Sequence, residues 1–157
     1  MSAAKAKPVP MTLAPLLPKR ILVPTDFSPT SIIALKYAVT LAAQVGAKLD
    51  LLYVIEPAPF LSDLKDVPLA MSEQQMADKA AARLAALARR EAGPGVPVTP
   101  IVRAGKAYHQ ISEAAREMEA NLIVMATHGY TGLKHTLLGS TTERVVRHAP
   151  CPVLVVR

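Results

Sequence analysis

Tryptophan is absent from the chain, and two phenylalanines and four tyrosines make up its whole aromatic complement. So few rings leave little to stack on single-stranded nucleic acid or on sugars. The single cysteine, Cys151, excludes an internal disulfide framework and a cysteine-based zinc site. It fits a reducing, cytoplasmic setting. No run approaches the ~20 apolar residues of a membrane span, so no membrane contact is expected. Acidic residues are missing from the first 20 positions, where Lys5, Lys7, Lys19 and Arg20 supply four of the net six positive charges. The rest of the chain holds 14 basic and 12 acidic residues and no basic stripe, which argues against a nucleic-acid partner. Pro8, Pro10, Pro15 and Pro18 interrupt the N-terminal segment, which therefore lacks the apolar stretch of a secretory signal. Residues 1–18 read as a flexible tail ahead of one domain, 19–157. What is present is apolar: 51% of the 157 residues are hydrophobic and 19% charged, which excludes a disordered chain.

Ile21-Leu22-Val23 reads as a buried strand running into Pro24-Thr25-Asp26. Ser28-Pro29 then has the form of an N-cap with proline at the first helical position, and Gly46 ends that helix. Residues 48–55 form a second strand. Ser72 and Gln75 make a capping box for a helix to about Ala92, with Met76, Ala80, Leu84 and Leu87 on its apolar stripe. Residues 96–102 form a third strand, which Pro97 and Pro100 place at a sheet edge. A helix over 107–119, a strand over 121–125, a helix from a Ser140/Glu143 capping box to about His148, and a strand over 152–156 complete the chain. Strands and helices alternate throughout. The fold class is therefore α/β: one open parallel sheet of five strands with helices on both faces. Ligands of such sheets sit beyond the carboxyl ends of the strands, where the strand order reverses.

The strongest local signal is Ala126-Thr127-His128-Gly129, nine further residues, then Gly139-Ser140 at a helix start. A glycine-bearing loop feeding a helix N-terminus suits a phosphate, because the first N–H groups lack partners and the dipole end is positive. A loop whose glycines are merely structural fits the same pattern. Asp26, just past the first strand, either accepts a hydrogen bond from a ligand or closes an Asx-turn ahead of Ser28. There is no GxxxxGK[ST] and no GxGxxG after a strand, which disfavours a P-loop ATPase or a dinucleotide dehydrogenase. The absence of an SGGxDS-type loop counts against a nucleotidyl transferase. His128 and His135 share the long loop with no cysteine or carboxylate to complete a metal site.

ILVPTDFS (21–28) and MATHGYTGLKHTLLGSTTERVVRHAPCPVLVV (125–156) together resemble the universal stress protein family, and the likeness runs from about Lys19 to Arg157. The resemblance implies a five-stranded parallel sheet of order 3-2-1-4-5 and a homodimer, for which the strand 152–156 offers an apolar edge. One branch of the family binds ATP through a G-x-x-G, nine residues, G-[S/T] motif. That pattern falls here on Ala126, Gly129, Gly139 and Ser140, with Thr141 adding a hydroxyl. The resemblance places Asp26 and Val54 on the base and ribose side, Pro24, Thr25 and Met125 along the same pocket, and Gly105 at a turn that closes over the nucleotide. It implies a stress or signalling protein with at most slow hydrolysis, an unknown protein partner, and Mg²⁺ held mainly through the phosphates. The alternative is a cleft that has lost nucleotide binding and a protein that acts by protein–protein contact. Alanine at position 126 bears on that choice: a left-handed backbone there would cost it about 1–2 kcal/mol, a need for small size nothing.

Overall fold

The computed structural model describes residues 17–56, 72–128 and 138–157. Five strands alternate with four helices: β1 (Arg20–Pro24), α1 (Pro29–Val45), β2 (Lys48–Ile55), α2 (Glu73–Glu91), β3 (Val98–Ala104), α3 (Ala107–Glu117), β4 (Leu122–Ala126), α4 (Ser140–His148) and β5 (Val153–Val156). The sheet order is β3-β2-β1-β4-β5, all parallel, as the resemblance implied.

Alternation along the strands divides the core in two. Ile21, Val23, Leu49, Leu51 and Val124 point to the face covered by α1 and α2, where Leu35, Ala38, Leu84 and Leu87 meet them. Leu22, Leu52, Ile123 and Met125 point to the opposite face, against Ile111, Ala114 and Ala115 of α3 and Val145 of α4. Every inner strand thus buries both sides, which is why its sequence reads as a continuous apolar run.

The helix ends follow local chemistry. Ser28 caps α1 by accepting the Ser31 N–H, Pro29 opens the helix, and Gly46 closes it at φ 69°. Ser72 and Gln75 form the reciprocal capping box of α2. The strand expected at 96–102 begins two residues later, at Val98, and lies at the edge. Pro97 stays outside it, while its carbonyl accepts the Leu49 N–H.

The capping box expected at Ser140 does not form. Gly139 is the N-cap of α4, with extended backbone and no side-chain cap, and Ser140 is the first helical residue. The Gly139 carbonyl accepts the Glu143 N–H, so the helical ladder starts one residue before the serine.

Candidate functional site

The chain crosses from β2 to β3 on one side of β1 and from β4 to β5 on the other. The gap between the β1 and β4 ends is the switch point of the order, and a cleft of about 770 Å³ opens there. Of the residues expected at a site, Pro24, Thr25, Asp26, Val54, Met125, Ala126, Gly139, Ser140 and Thr141 line it. Gly105 does not. It ends β3 at φ 136°, where only glycine is comfortable, and donates its N–H to the Ile55 carbonyl. Its effect on the cleft is to aim α3, whose first residue Ala107 is in the lining. Gly129 lies outside the described residues.

The β1 end of the cleft is held by a chain of hydroxyls. Ser31 Oγ donates to the Ser28 carbonyl, and Thr25 Oγ1 lies 2.9 Å from Ser31 Oγ. The Phe27 N–H in turn donates to Thr25 Oγ1. This network holds Phe27 at φ 64°, a left-handed backbone that a bulky residue takes only when its surroundings impose it. The Phe27 ring is buried, 4.8 Å from the Tyr53 ring and under the Arg83 guanidinium at 3.9 Å. Asp26 Oδ1 accepts the Ser28 N–H at 3.0 Å. The Asx-turn is thus present, and the residue lines the cleft as well.

The opposite wall is the start of α4. Gly139 is needed for close approach rather than for conformation, since its φ is −67°. Its N–H donates to the Thr127 carbonyl at 2.8 Å, and a Cβ at this position would sit 3.1 Å from that same oxygen. The Gly139 N–H is therefore engaged, and the donors facing the cleft mouth are those of the first helical turn, Ser140, Thr141 and Thr142. Thr142 is buried and donates its hydroxyl to the Ala126 carbonyl, pinning α4 to the end of β4. Ala126 itself is buried strand backbone and is not among the residues with positive φ, so alanine carries no strain there.

Sequence reasoning passed over several lining residues, Glu56, His128 and Glu143 among them. The His128 carbonyl accepts the Thr30 hydroxyl at 2.7 Å, which ties the segment after β4 to the start of α1. Glu143 pairs with Arg147 one turn along α4. Glu56 accepts the Ala107 N–H at 2.7 Å and so caps α3, whose own N-cap residue, Lys106, has no side-chain cap bond. Strand periodicity is the signal that could have found it: Glu56 is two residues past Val54, on the same side of β2. Among the described residues no group of His, Cys, Asp and Glu side chains could hold a metal ion, and no helix is long and apolar enough to cross a membrane.

The chain is similar to known proteins over nearly its whole length. The model of the universal stress protein family matches residues 18–157. Universal stress protein MJ0531 of Methanocaldococcus jannaschii is 34% identical over 139 residues, covering 88% of this chain and 82% of that protein. The solved structure of MJ0577, from the same organism, superposes with a TM-score of 0.74 at 31% identity, covering 90% of this chain and 96% of that one. Universal stress protein UspA from Lactobacillus plantarum superposes at 0.69 with 31% identity, covering 88% and 97%. Two more distant structures share the fold: a universal stress protein in complex with cAMP, at 24% identity and TM-score 0.65, and one from Archaeoglobus fulgidus in complex with dAMP, at 16% and 0.62. With a family model spanning the domain and relatives of this likeness, the chain belongs to the universal stress protein family.

Proposed function

We propose that this protein binds ATP in the cleft at the β1/β4 switch point and acts as a nucleotide-dependent stress or signalling module. The observation that carries the reading is the start of α4. Three N–H groups that the helix itself leaves without a partner and a positive dipole end open into a cleft at the place where Gly139 lets the backbone close up on Thr127. Ser140, Thr141 and Thr142 supply N–H donors to the phosphates, and the Ser140 hydroxyl, exposed at the first helical position, adds another. Val54, Met125 and Asp26 take the nucleoside side. Support at the level of the fold comes from the neighbours in complex with cAMP and dAMP.

ATP brings its own binding site for Mg²⁺, which phosphates and water hold with little help from protein. In the described cleft no acid–base pair faces the start of α4: Glu143 is engaged with Arg147, and Asp26 with the Ser28 N–H. The reading is therefore of a binding protein with at most slow hydrolysis. The alternative, a cleft that has lost its ligand, drew on Ala126, and that residue imposes no backbone strain. Calorimetric titration with ATP and Mg²⁺, together with mass analysis of nucleotide that co-purifies, tests the proposal. Saturable heat is the expected result, and no heat at millimolar ATP overturns it.

A further inference from the structure

We infer that the groove between α3 and α4 is a second anion subsite, which takes the phosphate that follows the third in a longer polyphosphate chain; the inference rests on the nucleotide reading above. The ligand class is a nucleotide extended at its terminal phosphate, either a nucleoside tetraphosphate or a dinucleoside polyphosphate. The groove has a volume of about 420 Å³ and is lined by Tyr108, Ser140, Glu143, Arg144, Arg147 and His148. Ser140 and Glu143 also line the cleft, so the two spaces meet at the start of α4. A chain of phosphates that occupies the donors of the first turn leads from one into the other.

Arg144 is the group that makes the groove attract an anion. Glu143 pairs with Arg147, which leaves the Arg144 charge without a carboxylate among the described residues. Arg147 and His148 lie in the last turn of α4, where positive charge suits the helix dipole. Arg144 lies in mid-helix and has no such role. Its guanidinium sits 5.0 Å from the centre of the Tyr108 ring, which is half-buried against the α3/α4 core. Packing on a ring, rather than an ion pair, thus places the guanidinium and leaves its N–H fork to an incoming acceptor. One turn, about 6 Å of rise, separates Arg144 from Ser140, and side chains at that spacing share a face and lean toward the helix start. His148 closes the far end, its ring 6.3 Å from that of Tyr108. The groove is open and Arg144 is exposed, so a lone anion binds there weakly. A phosphate tethered to a nucleotide already in the cleft arrives at high effective concentration and gains from the same contact.

Binding of ATP, adenosine tetraphosphate and diadenosine tetraphosphate is measured by calorimetry in excess Mg²⁺ on the wild-type protein and on Arg144→Gln. The wild type is expected to favour adenosine tetraphosphate over ATP by about three- to tenfold, the effect of one charge-assisted hydrogen bond in an exposed place, and Arg144→Gln to bring that ratio close to one. Diadenosine tetraphosphate bound as tightly as adenosine tetraphosphate supports the subsite with a dinucleotide as its ligand, and weaker binding supports it with a free-ended chain. Equal affinities for ATP and adenosine tetraphosphate in the wild type, or a ratio that Arg144→Gln leaves unchanged, overturn the subsite while leaving nucleotide binding intact. Failure of the wild type to bind any of these nucleotides overturns the nucleotide reading and this inference with it. The wild-type ratio decides by itself if the variant folds poorly.

Discussion

At Gly139 a missing side chain matters because of backbone packed against backbone, with 3.1 Å between a would-be Cβ and the Thr127 oxygen. Gly139→Ala is expected to lower stability by about 1–2 kcal/mol, from overpacking and a poorer N-cap, read as a shift in thermal denaturation. Gly139→Val is expected to abolish nucleotide binding, with a larger loss of stability, so binding and melting must be measured on the same samples. Asp26 needs the same care. Asp26→Ala is expected to weaken ATP binding by about 1–3 kcal/mol and also to remove the bond to the Ser28 N–H. Asp26→Asn keeps that acceptor and discards the charge, so a loss of affinity with unchanged melting isolates the ligand contact. Cys151 is half-buried, and burial pushes its thiol above the usual range. A raised value means less thiolate at pH 8, the form that reacts. Alkylation of the native protein at pH 8 is expected to be slower than in denaturant, and equal rates would refute the burial argument.

Among the elements, α4, like α3, depends on tertiary contact for its start. It spans nine residues, has no side-chain cap, and is tethered by the Thr142 hydroxyl on the Ala126 carbonyl. Thr142→Val keeps the shape and deletes that bond in a buried place. It is expected to cost about 1–3 kcal/mol in chemical denaturation and to weaken nucleotide binding, since the donors of the first turn lose their tether. Helices α1 and α2 carry their own boundaries, and for them the capping reading from Ser28, Gly46, Ser72 and Gln75 was sufficient. For α4 the same reasoning misplaced the cap by one residue. Ser140 and Glu143 have the spacing of a capping box, but the approach of Gly139 to Thr127 draws the N-cap back to the glycine. That approach joins residues twelve positions apart in the sequence, and no local rule contains it.

On the scale of the whole molecule, the sheet has two edges, β3 and β5. Proline at position 100 denies β3 a backbone donor in mid-strand, whereas β5 runs Val153-Leu154-Val155-Val156 and is half-buried along its length. We propose that β5 pairs with its symmetry mate in a homodimer, as the resemblance implies. Leu154 packs against the α1/α2 core and Val155 belongs to neither core cluster, so Val155→Lys is the cleaner test of this edge. Light scattering is expected to give a dimer for the wild type and a monomer mass near 16.7 kDa for the variant. A monomeric wild type at micromolar concentration would exclude the interface. The element order, the parallel sheet and most of the helix ends were determined by the sequence alone, because apolar periodicity, proline, glycine and capping residues act within a few positions of one another. The location of the cleft was legible in Thr25-Asp26 and Ala126, which stand at strand ends by position and line it. Glu56 as the cap of α3, the engaged N–H of Gly139 and the strained backbone of Phe27 were decided only by the tertiary structure. Each of them is set by a contact that exists once the sheet brings strand ends together, such as Glu56 with Ala107 or Phe27 with Tyr53 and Arg83. Such contacts depend on distances across the sheet, which the order of residues along a strand does not encode.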